Sequence, residues 1–76
     1  MLDKYLNKNV KIVATIAAST NSSIKPVAYY GKMLNYNDEF IEIDVEKAII
    51  EIVKFKVDTS GNTLINRNFV VTINEI

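Results

Sequence analysis

"YYGKMLNYNDEFIEID", Tyr29 to Asp44, is the stretch on which the reading of the fold turns. It reads as strand, turn, strand. Asn35, Asn37 and Asp38 tolerate turn conformations and can cap them, and from Phe40 onward Ile41, Ile43 and Val45 point one way while Glu42, Asp44 and Glu46 point the other. The second of these strands therefore has one buried and one wet face. Within the first, which runs from about Val27 to Tyr36, sits a single glycine, Gly31. Glycine weakens a strand interior and marks a bend or a close approach of backbones, so this hairpin is expected to curl.

Towards the N-terminus, Val10, Ile12, Ala14, Ile16 and Ala18 alternate with Lys11, Val13, Thr15 and Ala17, which is a first strand that is rather apolar on both faces. Leu2, Tyr5 and Leu6 before it fall at i, i+3 and i+4, the spacing of a one- or two-turn amphipathic helix. Between the first two strands, "STNSSIKP", Ser19 to Pro26, is a polar loop whose proline cannot donate to a ladder. Towards the C-terminus, "EKAIIEIVKFKV", Glu46 to Val57, fits both periods. Its β-branched and aromatic content favours a strand. "DTSGN", Asp58 to Asn62, is a hairpin turn, followed by a short strand to Ile65, a tight polar "NRN" corner, and a last strand from Phe69 to about Ile73.

Seventy-six residues are expected to make one domain, spanning 1–76. Cysteine and histidine are absent, which excludes disulfides, thiolate metal sites, thiol nucleophiles and imidazole acid/base chemistry. Nine basic and nine acidic residues give zero net charge, so no overall field draws the chain to a polyanion. At 49% hydrophobic the sequence is too apolar for disorder, yet no apolar run approaches the length of a membrane span. "MLDKYLNK" lacks the basic-then-apolar layout of a signal peptide. A cytoplasmic protein with no membrane partner is the expectation. Zero net charge and a small core both favour self-association, so an oligomer is expected as well.

A short helix followed by roughly five hairpin-connected strands, in so small a chain, is expected to curl into a barrel, because an open sheet would leave unprotected edges. At this point the sequence resembles the Sm-like (LSm, Hfq-type) family. The first motif of that family is a glycine, any residue, an apolar residue, two more, an aromatic, Asp, two more, an apolar residue, then Asn. In "GKMLNYNDEFI" Gly31, Met33, Tyr36 and Phe40 fit it, with Asn37 at the Asp position and Ile41 at the Asn position. The second motif is an apolar strand, a tight corner of the I-R-G or Y-K-H kind, and a closing apolar strand. "LINRNFVVTI" resembles it, with Asn66 at the usual basic position and Arg67 at the Gly or His position. The resemblance covers nearly the whole chain. It implies an all-β fold, a short N-terminal helix followed by a strongly bent five-stranded antiparallel SH3-like barrel. It also implies a homo-oligomeric ring in which the fourth strand of one subunit pairs with the fifth of the next, and single-stranded RNA as a partner at the lumen. By position, Asn37, Glu39, Ile41, Asn66 and Arg67 would line the nucleotide pocket, and Phe69, Val71 and Ile73 would be shared between barrel core and subunit interface.

Other chemistry has little to stand on. Glu42, Asp44 and Glu46 project from one strand face and diverge, whereas hard cations need ligands that converge. Ser19, Thr20, Ser22 and Ser23 have no neighbouring base to activate them, and Gly31 and Gly61 do not make a phosphate loop. No enzyme activity, metal or cofactor is expected. Lys54, Lys56 and Arg67 with Tyr29, Tyr30 and Tyr36 could form a basic strip with stacking platforms for a single strand. They could equally be barrel-wall aromatics and lysines that protect edges. Without RNA affinity, the same chain would be an oligomeric structural or protein-binding small β-barrel.

Overall fold

A computed structural model describes residues 2–17 and 24–76. Six strands form one antiparallel sheet: β1 (Asn9–Ala17), β2 (Ile24–Tyr36), β3 (Phe40–Ile50), β4 (Phe55–Val57), β5 (Gly61–Asn66) and β6 (Val70–Glu75). The order is β4-β3-β2-β1-β6, and β5 pairs with the first half of β3, in line with β4 on the second half. The fold is all-β, as expected. Among the described residues six strands replace the expected five, and β5 and β6 are not paired with each other, so the sheet is not closed.

The period of two dictates the core. Val10, Ile12 and Ala14 of β1, Val27, Tyr29 and Met33 of β2, and Ile41, Ile43, Val45 and Ala48 of β3 are buried together with Ile65 of β5. The alternation holds until Val45 and resumes at Ala48, because Tyr30 faces Lys47 while the next residue, Gly31, faces Val45. Glu46 is the extra residue of this bulge. Bulges sharpen twist and bend a strand, and here β3 also crosses directly over Gly31. A Cβ on Gly31 would lie 2.0 Å from the Asp44 carbonyl oxygen. The glycine is therefore required by a close backbone approach at the bend. A second bulge, at Leu34, lies between the pairs Met33 with Ile43 and Asn35 with Glu42.

The bulge at Glu46 also explains the ambiguous segment. The strand that starts at Phe40 runs unbroken to Ile50, and the break falls at Glu51–Lys54, where Lys54 adopts φ +56° and reverses the chain. The expected N-terminal helix is a single 3₁₀ turn, Leu2–Tyr5. It ends because Asn7 enters the left-handed region (φ +63°) and donates its backbone N–H to the Met33 carbonyl at 2.7 Å. Leu2, Tyr5 and Leu6 still pack against the core, so the expected apolar stripe is used in a tighter helix. β2 begins before Pro26, which pairs with Thr15, so the expected loop is shorter than Ser19–Pro26. Ala18 and residues 19 to 23 lie outside the described residues.

Candidate functional site

Two turns meet at one end of the sheet. In the β2–β3 turn, Asn37 Oδ1 accepts the backbone N–H groups of Glu39 and Phe40, each at 2.8 Å, and its own N–H donates to the Phe40 carbonyl at 2.9 Å. In the β5–β6 corner, Asn66 caps a 3₁₀ turn (Arg67–Phe69) by accepting the Asn68 N–H at 2.8 Å. Both asparagines are short side chains that bond their own following backbone, which is why this residue type occupies both places. Pairing of Phe40 with Asn66 sets the turns side by side.

Arg67 locks them together. Its backbone N–H donates to the Glu39 carbonyl at 2.8 Å, its Nη1 donates to the Asn37 carbonyl at 2.7 Å, and its guanidinium sits 5.8 Å from the centre of the Tyr36 ring. The Tyr36 hydroxyl in turn donates to the Asp3 carboxylate. That bond holds the phenol above its ordinary range, with desolvation adding to the shift. A chain of contacts thus runs from the N-terminal 3₁₀ turn through Tyr36 to the corner.

The structure brings together four of the five residues expected at a nucleotide pocket: Asn37, Glu39, Asn66 and Arg67. Ile41 is a correction. It is 1% exposed and belongs to the core, because inward alternation in β3 starts at Ile41 and leaves Glu42 facing outward, 3.3 Å from the Asn62 amide nitrogen. The asparagine oxygens are committed to the turns, while their amide N–H₂ groups have no partner among the described residues. Asp38 and Glu39 stand exposed at the same end.

Two hollows flank the corner. An open groove of about 560 Å³ lies between Leu2, Tyr5, Tyr36, Arg67 and the residues Val70 to Ile73 of β6. A more apolar hollow of about 230 Å³ is lined by Tyr29, Phe40, Leu64, Ile65 and Phe69. The expected interface triplet is rearranged here. Phe69 belongs to the 3₁₀ turn and is half exposed, and Val71 is the extra residue of a bulge between the pairs Val13 with Thr72 and Ala14 with Val70. The β6 residues that pack on the core are accordingly Val70 and Ile73.

The basic strip is not assembled. Tyr29 is buried, which pushes its hydroxyl up, Tyr36 lies beside Arg67, and Lys54 and Lys56 are at the opposite end of β3. Tyr30 belongs to a separate cluster on the outer face, where cross-strand pairing aligns Lys11, Tyr30 and Lys47. The Lys47 and Lys11 ammonium groups lie 4.8 and 5.6 Å from its ring centre. Glu51 receives the Tyr30 hydroxyl at 3.0 Å and an ion pair from Lys11 at 3.1 Å. Lys11, then Tyr30, hold the Glu51 carboxyl below its ordinary range, and Glu51 raises Lys11. Among the described residues no three acidic groups converge as a metal site would require, and no helix is long and apolar enough to cross a membrane.

Sequence reasoning did not find the Tyr36–Asp3 contact or the anchoring of Glu51. Both partners are remote in sequence, and neither pair has a spacing that marks it. Comparison with protein-family models, curated proteins and solved structures gives no match.

Proposed function

We propose that the chain is a divergent Sm-like protein, a strongly bent SH3-like barrel variant acting in the cytoplasm as a binding ring and not as an enzyme. Copies assemble by pairing the free edge of β5 with the free edge of β6 in the next copy. The corner of Asn37, Glu39, Asn66 and Arg67 faces the lumen and holds single-stranded RNA. Arg67 supplies the phosphate contact, and the two amide N–H₂ groups supply donors for base edges.

The observation that carries the assembly is the chemistry of the two open edges. Exposed edge strands are ordinarily blunted by charge, above all by lysine. β5 reads "GNTLIN" with no charged residue, and β6 reads "VVTINE" with a charge only at its last position. Leu64 on β5 and Val71 on β6 are 64% and 59% exposed. Such edges invite pairing, and two different edges pair head to tail, which closes into a ring when the rotation permits.

Native mass spectrometry and light scattering test the assembly. The wild type is expected to be oligomeric at micromolar concentration, and Leu64→Glu, which charges the β5 edge, is expected to dissociate it without changing the circular dichroism spectrum. A monomeric wild type would overturn the reading. Fluorescence anisotropy with short uridine-rich and adenine-rich RNAs tests the lumen. Affinity should fall with salt, and Arg67→Ala should weaken it and reduce the salt slope by about one. A second reading, an oligomer that is structural or binds protein, is favoured by the carboxylates of Asp38, Glu39 and Glu42 around the corner, which repel phosphate. Rings without RNA affinity at micromolar protein would select it.

A further inference from the structure

The apex where β3 turns into β4 lies at the opposite end of the sheet from the corner, and neither the ring nor the RNA reading uses it. Ile52, Val53 and Phe55 are 75%, 53% and 61% exposed there, interrupted only by Lys54 and followed by Lys56. Three large apolar side chains concentrated in four residues form an uncommon surface for a small domain, and such patches mark contact sites. We infer that this apex docks on an anionic lipid surface, with Ile52, Val53 and Phe55 entering the boundary between headgroups and acyl chains and Lys54 and Lys56 meeting lipid phosphates.

Charge selects this occupant. The apex from Ile52 to Lys56 carries two cations and no acid, and the nearest carboxylate before it, Glu51, is held by Lys11 and Tyr30. Glu46 and Asp58 line a shallow hollow with Lys47 and Lys56. Between Ile52 and Lys56 the charges are both cationic. A second copy docked apex to apex would set these lysines against each other. Side chains that project from a turn can all be accommodated by a fluid interface, whereas a protein partner would need a matching cavity.

The backbone gives a second observation. Lys54 holds φ +56°, a region in which glycine or asparagine is at ease and lysine is strained. This left-handed residue reverses the chain, and its exposed side chain stands between Val53 and Phe55. No segment spans the bilayer in this arrangement; the contact is peripheral.

Flotation of the full chain with phosphatidylcholine vesicles, with and without phosphatidylglycerol, tests the inference. Binding is expected only to the anionic vesicles and should weaken with salt. Phe55→Ser should lower the partition coefficient roughly tenfold or more, and each of Lys54→Gln and Lys56→Gln by about fivefold. Circular dichroism and thermal melting verify that these exposed-site variants remain folded. Ile76→Ser, which removes an apolar side chain 66% exposed elsewhere, should bind as the wild type does. Failure to bind anionic vesicles at low salt overturns the inference, as does binding that survives Ile52→Ser combined with Phe55→Ser. So would lipid-free association of the wild type that this double variant abolishes, since a second copy would then be the occupant.

Discussion

Replacing Gly31 with alanine tests the account of the bend at a single atom. The new Cβ would stand 2.0 Å from the Asp44 carbonyl oxygen, 2.8 Å from its carbonyl carbon and 3.0 Å from Val45 Cα. Close carbon-to-oxygen contacts are about 3.3 Å or longer, so β2 and β3 must separate by roughly 1 Å. All three atoms are backbone, and no rotamer change relieves the overlap. Separation breaks one or two ladder hydrogen bonds beside the Glu46 bulge, at about 1 kcal/mol each, and the crowding that remains adds about 1–3 kcal/mol. The expected loss is roughly 3 kcal/mol, a large part of the stability of a domain this size. Urea unfolding at fixed protein concentration should show the midpoint falling by about 2 M. The sign is diagnostic. Among the described residues the positive-φ glycine is Gly61 and not Gly31, so without the clash alanine at 31 would stabilise by about 0.4–1 kcal/mol through the unfolded chain. Gly61→Ala provides the contrast: it meets no atom within 4 Å, but at φ +79° it should cost about 1 kcal/mol from strain alone. An unchanged or higher midpoint for Gly31→Ala would refute the close-approach argument.

Other substitutions probe the corner, the apex and the outer cluster. Asn37→Ala removes the acceptor for two turn N–H groups and should lower stability by about 1 kcal/mol, read by the same urea titration. Lys54→Gly relieves the left-handed strain and should raise the melting temperature; a lower one would mean that the Lys54 side chain supports the turn. The bonds from Lys11 and Tyr30 hold the Glu51 carboxyl below its ordinary value, so its contribution to stability is complete above the unfolded value and fades as pH falls through the depressed folded value. Glu51→Gln should therefore narrow the gap between melting temperatures at pH values above and below the carboxylate range, and an unchanged gap would show that the Lys11–Tyr30–Glu51 cluster is not formed.

The legible part of this fold is the part with unbroken period two. Val10, Ile12 and Ala14, and Ile41, Ile43 and Val45, alternate as half-buried strands must, and each is buried. Gly31 marked the bend because only a missing Cβ admits the crossing strand. Bulges hid the rest. At Glu46 the alternation slips by one, so a continuous strand to Ile50 looked like two segments with mixed periods; at Val71 a slip moves the inward positions to Val70 and Ile73. A bulge is fixed by which residue of the partner strand it faces, and that pairing is remote in sequence. The β2–β3 turn was legible from asparagine chemistry and the β5–β6 corner from its polar "NRN" run. Their coupling through Arg67 was not, since it depends on β3 holding Phe40 opposite Asn66.

That coupling decides how the corner can meet a ligand. Arg67 has five N–H donors, and among the described residues one side-chain donor is bonded to the Asn37 carbonyl. The lock is therefore compatible with the proposed phosphate contact, which would draw on the same guanidinium. Lysine at this position separates the two roles. A lysine keeps a point charge for phosphate but lacks the planar fork, so it cannot reproduce a bond to the Asn37 carbonyl, stacking over Tyr36 and a phosphate contact together. If RNA binds as proposed, Arg67→Lys is expected to keep the salt slope of RNA affinity while lowering the melting temperature, whereas Arg67→Ala should lower the melting temperature and reduce the salt slope by about one. If Arg67→Lys instead melts as the wild type does and has lost RNA affinity, the guanidinium serves the ligand alone and the lock is supplied by the Arg67 backbone N–H on Glu39.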